Sequence, residues 1–430
     1  MKGRRRRLAA AISIASYTSP GPTRNRGGEY QVQLSEKETH MAKRTLRTKL
    51  CDLLGIEYPI LSAGMGPALI GEKTGAPVEL VVAVSEAGGC GVLGAAGFGL
   101  EELREKIREI KKMTGKPFGV DLLLPKSITS EAAEPKAGKT DKGPPVKMRF
   151  SQILQGLPRT HQEWVQKIQK TMDLPDVELT ISPDLTVNHP REAIKICLEE
   201  RVPLFCAGLG SPGFMVQDAH QAGTKVLAIT GNAKNAKRMV EEGIDILVAQ
   251  GHEGGGHTGR VGTMALLPQA LDAAGTIPVL AAGGIGDGRG LAAALVMGCA
   301  GVWVGTRFLA TDEGGALPVN KERILRATDE DTRVSRSYTG KTARSNTSRF
   351  HELWDESGLE PLPFPAQVFV SSALLSGFLA AGRLDYVGGF AGQISGLIKE
   401  IKPAHQVLEE MVDQAIDLLT RKLPENVIAK

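Results

Sequence analysis

From Tyr58 onward, short apolar runs alternate with stretches of helical periodicity. Apolar runs bounded by Gly and Pro predict buried strands over 59–63, 91–95, 118–124, 203–207, 225–230, 245–250, 278–282 and 301–308. Between them, apolar positions recur at helical spacing over 78–87, 100–113, 191–200, 216–222, 233–242, 263–274 and 288–297. Several of these helices run into a glycine (Gly88, Gly223, Gly243, Gly275, Gly298), the expected stop before the next strand. Strands that are apolar throughout, rather than alternating, belong to a parallel sheet covered on both faces. Eight β-α units favour a closed (β/α)8 TIM barrel over an open doubly wound sheet, although strand order is not written in the sequence.

Two stretches break this rhythm. After the third strand comes an insertion, 126–190. Its first part (126–147) is rich in Lys, Glu, Gly and Pro and reads as mobile, whereas 151–172 has helical spacing. It leaves from the face where barrel enzymes keep their chemistry, so it reads equally as a lid or as a surface decoration. The barrel itself spans 41–310. Residues 311–430 read as a C-terminal helical appendage packed on it, with helices near 321–327, 373–380 and 405–421.

Composition narrows the class. The 430 residues are 42% hydrophobic but only 4% aromatic, with 51 glycines. That combination suits an α/β enzyme with many tight loops. The net charge of +4 is weak, which argues against a nucleic-acid or membrane-surface partner. No apolar run is long enough to span a bilayer as a helix. The five cysteines form no C-x-x-C pair and read as reduced core residues of a cytoplasmic protein. Residues 1–40 stand apart, being Arg-rich and almost acid-free at their start. They read as a disordered extension, or alternatively as a transit-like peptide for an organelle. A homodimer is compatible with the sequence.

The chemistry concentrates in Gln250-Gly-His-Glu-Gly-Gly-Gly-His-Thr-Gly259, directly after the sixth strand. Gly255 and Gly256 let the backbone approach a ligand, and His257 can exchange a proton near neutral pH. His257 is the candidate acid/base. His252 reads as a solvent-exposed bystander, and the other six histidines as surface residues. The H-x4-H spacing has no acidic or thiol cluster beside it, so no metal is expected.

Strand seven ends in Gly283 and Gly284. Strand eight ends in Val304, Gly305 and Thr306. Glycines at strand ends leading into helix N-termini favour an anion, and the implied ligand is a phosphate-bearing cofactor such as FMN. Small residues at the end of strand one (Gly64, Met65, Gly66) would let a flat ring lie against the backbone. Asp121 places an acid inside an apolar strand, where it needs either a ligand hydrogen bond or a salt bridge. Gln250 closes strand six in the same way.

Taken in order, these segments resemble the nitronate monooxygenase family. The resemblance is carried by 58–65, 117–125, 250–259, 281–289, 305–308 and 391–396. It implies non-covalent FMN and a catalytic role for His257. It also implies flavin contacts at Met65, Gly66, Asp121, Gln250, Gly255, Gly284 and the Gly305-Thr306 turn. The implied substrate is a small nitronate or nitroalkane, oxidised with O2. Three departures stand out: Asp121 where the family usually has Asn, Gly254 where it usually has Ala, and a long insertion. Flavin enoyl-thioester reductases that use NAD(P)H share the Gly-Gly-His loop and are the alternative.

Overall fold

The computed structural model describes residues 45–67, 69, 73–124, 146–181 and 189–427. The expectations for residues 1–40 and for most of 126–147 lie outside these. The eight predicted strands are β1 (Ile60–Ser62), β2 (Gly91–Gly94), β3 (Phe118–Leu123), β4 (Leu204–Leu209), β5 (Lys225–Thr230), β6 (Ile246–Gln250), β7 (Val279–Ala282) and β8 (Gly301–Val304). All neighbouring pairs are parallel, in the order β1-β8-β7-β6-β5-β4-β3-β2. The ring closes beside Cys90: its N–H donates to Ile60 O at 3.0 Å, and its carbonyl accepts from Ser62 N at 3.1 Å. The fold is a TIM barrel, with the insertion leaving after β3 and the C-terminal region after β8.

Two apolar shells hold it. Phe118, Val120 and Leu122 of β3 join residues such as Val302 and Val304 in the layer between strands and helices. Leu61, Val92, Cys206, Leu227, Val248, Leu280 and Trp303 fill the barrel interior. Period-two alternation on each strand supplies both shells, which is why the strands read as continuously apolar. The N-terminal end of the barrel is plugged by Leu50, Cys51 and Leu54 of the helix Lys49–Leu54, whose N-cap is Thr48.

The helices between strands match expectation closely, and Leu100–Met113, Val216–Ala222 and Thr263–Ala274 carry the predicted bounds. Glycines 88, 223, 243, 275 and 298 all have positive φ at the ends of their helices. Most strands end within a residue of the prediction, but β8 is shorter by four. β8 stops at Val304, because Gly305 turns the chain into a single helical turn, Thr306–Leu309.

The C-terminal region is more than a set of helices on the outside. Its helix Ala404–Asp417 inserts Val407, Leu408, Met411 and Ala415 into the strand–helix layer, against the helices Gly288–Val296 and Val78–Glu86. It therefore serves as the eighth helix of the barrel. Before reaching it, the chain makes an antiparallel hairpin, Thr332–Ser335 with Ala343–Asn346. A separate core joins insertion and C-terminal region, with Phe150, Leu154 and Val165 packed among Tyr338, Phe350, Trp354, Val370 and Phe378. Trp164 and Trp354 meet edge-on at 4.9 Å between ring centroids. Two histidines expected at the surface lie here, buried instead: His161, with Nε2 3.0 Å from Glu360 O, and His351, with Nε2 3.1 Å from the Ser345 hydroxyl.

Candidate active site

The glycine-histidine loop is pinned at several points. Gln250 Nε2 donates to His257 O at 2.7 Å, and Gly251 N donates to Ala282 O at 2.9 Å. Glu253 turns its carboxylate to the start of the helix Thr263–Ala274 and accepts from Thr263 N at 3.0 Å and from its hydroxyl at 2.9 Å. A carboxylate there satisfies an orphan N–H and meets the positive end of the helix dipole. His252, expected to be a bystander, is part of the loop's framework. Its Nδ1 lies 2.7 Å from Gly259 O, and its carbonyl accepts from Arg344 Nε at 3.1 Å.

The second half of the loop is a strand. Gly256 and His257 pair antiparallel with Arg344 and Ala343 of the C-terminal hairpin. Gly256 sits at φ +72°, and a Cβ there would meet nothing within 4 Å. Gly255 is crowded: a Cβ would fall 2.7 Å from Ala391 C and Gly392 N. The segment 391–393 is therefore pressed against the loop, and Gln393 N donates to Glu253 O at 3.0 Å.

The His257 ring is held by C-terminal residues. Its Nε2 lies 3.0 Å from Thr339 Oγ1, and the Phe390 ring is 6.4 Å away between centroids. Burial, with the nearby Lys341 charge adding to it, pushes the imidazole from 6.5 to about 4. His257 is therefore neutral at pH 7, whereas an unperturbed imidazole would be about one quarter charged there.

Asp121 lies inside the barrel mouth on β3. Its carboxyl is wedged between two glycines: a Cβ on Gly64 would fall 2.2 Å from Asp121 Cβ, and one on Gly208 would fall 2.8 Å from Oδ1. Gly208 N–H is its hydrogen-bond partner, while Oδ1 is buried with none. Burial holds the carboxyl well above the usual carboxylate range. The salt-bridge reading is thus replaced by a buried acid, held above the usual carboxylate range, with an unused hydrogen-bonding atom.

The remaining candidates converge on the same mouth with unequal roles. Met65 bridges the ends of β1 and β8, its Sδ 3.8 Å from where a Gly305 Cβ would stand. Gly66 abuts Ala96. Gly283, at φ +88°, lies under the loop, where a Cβ would approach Gly251 O to 2.9 Å; Gly284, at φ +76°, is more open. The helix after them does not offer its first turn to a ligand. Asp287 accepts from Arg289 N and Gly290 N, and Gln414 Oε1 accepts from Gly288 N. An anion here would meet the glycine backbone, not the helix terminus. Val304 directs its side chain into the strand–helix layer, away from the mouth. The Thr306 hydroxyl accepts from Gly392 N at 2.9 Å, which ties β8's end to the C-terminal segment.

A nitronate monooxygenase family model matches residues 47–414. The chain belongs to the nitronate monooxygenase family. A Staphylococcus haemolyticus protein described as "Probable nitronate monooxygenase" is 31% identical, aligning 86% of this chain with 98% of its own. A Mycobacterium tuberculosis protein described as a monooxygenase is 35% identical over 86% of this chain and 97% of that one. Among solved structures, nitroalkane oxidase from Streptomyces ansochromogenes aligns 86% of this chain with 99% of its own at TM-score 0.68 and 27% identity. FabK from Thermotoga maritima aligns 89% of this chain with 100% of its own at TM-score 0.66 and 31% identity. The protein is an oxidoreductase of the nitronate monooxygenase family acting on small molecules.

For this family member, motif reading missed Thr339, Lys341, Gly208 and Phe390. Thr339 and Lys341 belong to no glycine motif. Their hairpin strands, Thr-Arg-Val-Ser and Ala-Arg-Ser-Asn, lack the apolar run of a core strand. Gly392 did carry a signal, since it lies in the 391–396 segment, which marked the family without being placed at the mouth, and Phe390 stands just before that segment.

Proposed function

We propose that this chain oxidises alkyl nitronates and nitroalkanes with O2, giving a carbonyl compound and nitrite, with FMN held at the C-terminal mouth of the barrel. The residues there fit a flavin: Asp121 Oδ1 is a buried polar atom with no partner among the described residues, and the mouth is lined by glycine backbone. Gly64, Met65, Gly66, Asp121, Gln250, Gly255, Gly256, Gly283, Gly284, Gly305 and Thr306 would hold it, with Val304 contributing backbone only. FMN, when bound, supplies the electron transfer and the O2 chemistry.

The observation that carries this reading is the neutral, oriented imidazole of His257 in the mouth. A neutral ring has a lone pair to accept the α-proton of a nitroalkane, which leaves the nitronate anion beside the newly formed imidazolium. When the substrate arrives already as the anion, its charge favours protonation of the same ring. The loop's pinning by Gln250, His252 and Glu253 keeps the ring from drifting, since general-base catalysis depends on reach before basicity.

A second reading, NAD(P)H-dependent reduction of an enoyl thioester, is favoured by the full-length alignment with FabK. The deciding experiment records flavin absorbance of the purified protein, then O2 uptake with a nitronate and, separately, NAD(P)H oxidation. His257→Ala is expected to lower nitroalkane turnover by about 10²–10⁴-fold with flavin retained. Unchanged turnover in that variant sinks the assignment, and rapid NAD(P)H oxidation without nitronate turnover selects the second reading.

A further inference from the structure

Asp121 is the one carboxyl among the described residues that falls in the buried class, at 7% exposure. It stands at the top of the barrel interior, next to Cys206 across β3–β4 and Gly94 across β2–β3. The groups facing it are Gly64 from the end of β1, Gly94 from β2, and Cys206 and Gly208 from β4. The titratable one among these is the Cys206 thiol, itself buried and pushed up, and therefore neutral. No described ion pair reaches the carboxyl; its one polar partner is the Gly208 N–H. A carboxylate in that position would leave Oδ1 charged and unsolvated, a cost of several kcal/mol that the neutral acid avoids. A neutral acid, however, carries an O–H that needs an acceptor, and none of the described residues provides one to Oδ1.

We infer that Asp121 stays protonated at neutral pH and donates its O–H to an acceptor on the flavin ring, so that ionisation of this carboxyl sets the upper pH limit of flavin binding. The inference rests on the FMN reading above. An acid at this position then does what an asparagine amide would do, donating a hydrogen bond without a charge, but only while it keeps its proton. Once ionised, it would turn from donor to acceptor and bring a negative charge to the acceptor it had served. Glycine at 64 and 208 is part of the device: a Cβ at either position would displace the carboxyl.

The test is the FMN dissociation constant, read from quenching of flavin fluorescence between pH 6 and pH 10 for the wild type and Asp121→Asn. Asparagine donates but cannot ionise. The wild type is expected to lose affinity by up to about tenfold per pH unit above the carboxyl's midpoint, one proton being coupled to binding. Asp121→Asn is expected to match the wild type at pH 6 and to diverge from it as pH rises. Any titration of the FMN phosphate affects both proteins alike. Parallel profiles with flavin bound overturn the inference alone; no FMN binding by either folded protein at any pH overturns the flavin reading and the inference with it. Infrared absorption of the wild type covers the case of a variant that fails to fold. A protonated buried carboxyl whose band disappears at the midpoint of the affinity profile supports the inference, and the absence of such a band at pH 7 overturns it.

Discussion

His257 Nε2 lies 3.0 Å from the hydroxyl of Thr339, a residue 82 positions away on the turn of the C-terminal hairpin. The same hydroxyl accepts from Lys341 N and reaches the Lys341 carbonyl, both at 3.2 Å. The carbonyl can only accept, so the Thr339 proton satisfies it, and Thr339 Oγ1 then accepts from His257 Nε2–H. This arrangement leaves the lone pair on Nδ1. Thr339→Val removes the acceptor while keeping the shape. The expected loss is about 3–10-fold in kcat, the value of one neutral hydrogen bond, with little change in KM. The imidazole 15N shifts of the wild type should report the Nε2–H tautomer and those of the variant a mixture. An unaltered tautomer in the variant would remove Thr339 from the positioning role.

The acid limb of nitroalkane turnover should report the lowered His257 value. An unperturbed imidazole would lose its base form below pH 6.5, whereas this one, held at about 4, keeps it into mildly acid solution. The pH dependence of kcat/KM for a neutral nitroalkane should therefore fall with a midpoint near 4 in protein that stays folded. Lys341→Ala removes the second cause of the shift and should move that midpoint upward. A wild-type midpoint at 6.5 would show that the ring is solvated during turnover.

Stability should also fall as the solution is acidified, and from two rings. His257 and His351 are both lowered from 6.5 to about 4. Below 6.5 the unfolded chain binds protons that the folded one refuses. The contribution is present above 6.5 and is lost as pH drops toward 4. His351→Gln, which has no proton to gain, should flatten the decline of Tm between pH 6.5 and pH 4 by its share. A wild-type Tm constant across that window would contradict both lowered values.

Gly392→Ala tests whether the C-terminal segment supports the His257 loop. Its Cβ would fall 2.7 Å from Glu253 O and 3.0 Å from Gly255 N, neither of which is a flexible side-chain end. The expected cost is about 1–3 kcal/mol of stability in chemical denaturation, with turnover reduced further than the folded fraction accounts for. Gly256→Ala has open space for its Cβ but φ +72°, so it should cost backbone strain alone. If both variants behave alike, crowding at 392 is not what shapes the loop.

Much of the barrel was legible along the chain. β5, for example, appears with its predicted bounds, and five helix-ending glycines occupy the conformation that their position implies. Barrel strands buried on both faces and amphipathic helices are local patterns, and periodicity reports them directly. The His257 loop was legible for the same reason, as glycines and a histidine gathered within ten positions of a strand end.

What the chain did not reveal depends on contacts between distant segments. The hairpin at 332–346 has polar strands, and its pairing with Gly256 and His257 joins segments some 90 positions apart. The helix Ala404–Asp417 reads as any amphipathic helix, and only its position between the helices that follow β1 and β7 makes it the barrel's eighth. The shifted proton affinities of His257 and Asp121 belong in the same class. A side chain's identity sets its ordinary pKa, but desolvation moves it, and desolvation is a property of the surrounding fold. Sequence by itself determined the barrel, the family and a glycine-framed histidine loop at the end of β6; the tertiary structure decided which distant residues hold that histidine and how far burial shifts the site's acid and base, because burial and long-range packing are set only once the chain has closed on itself.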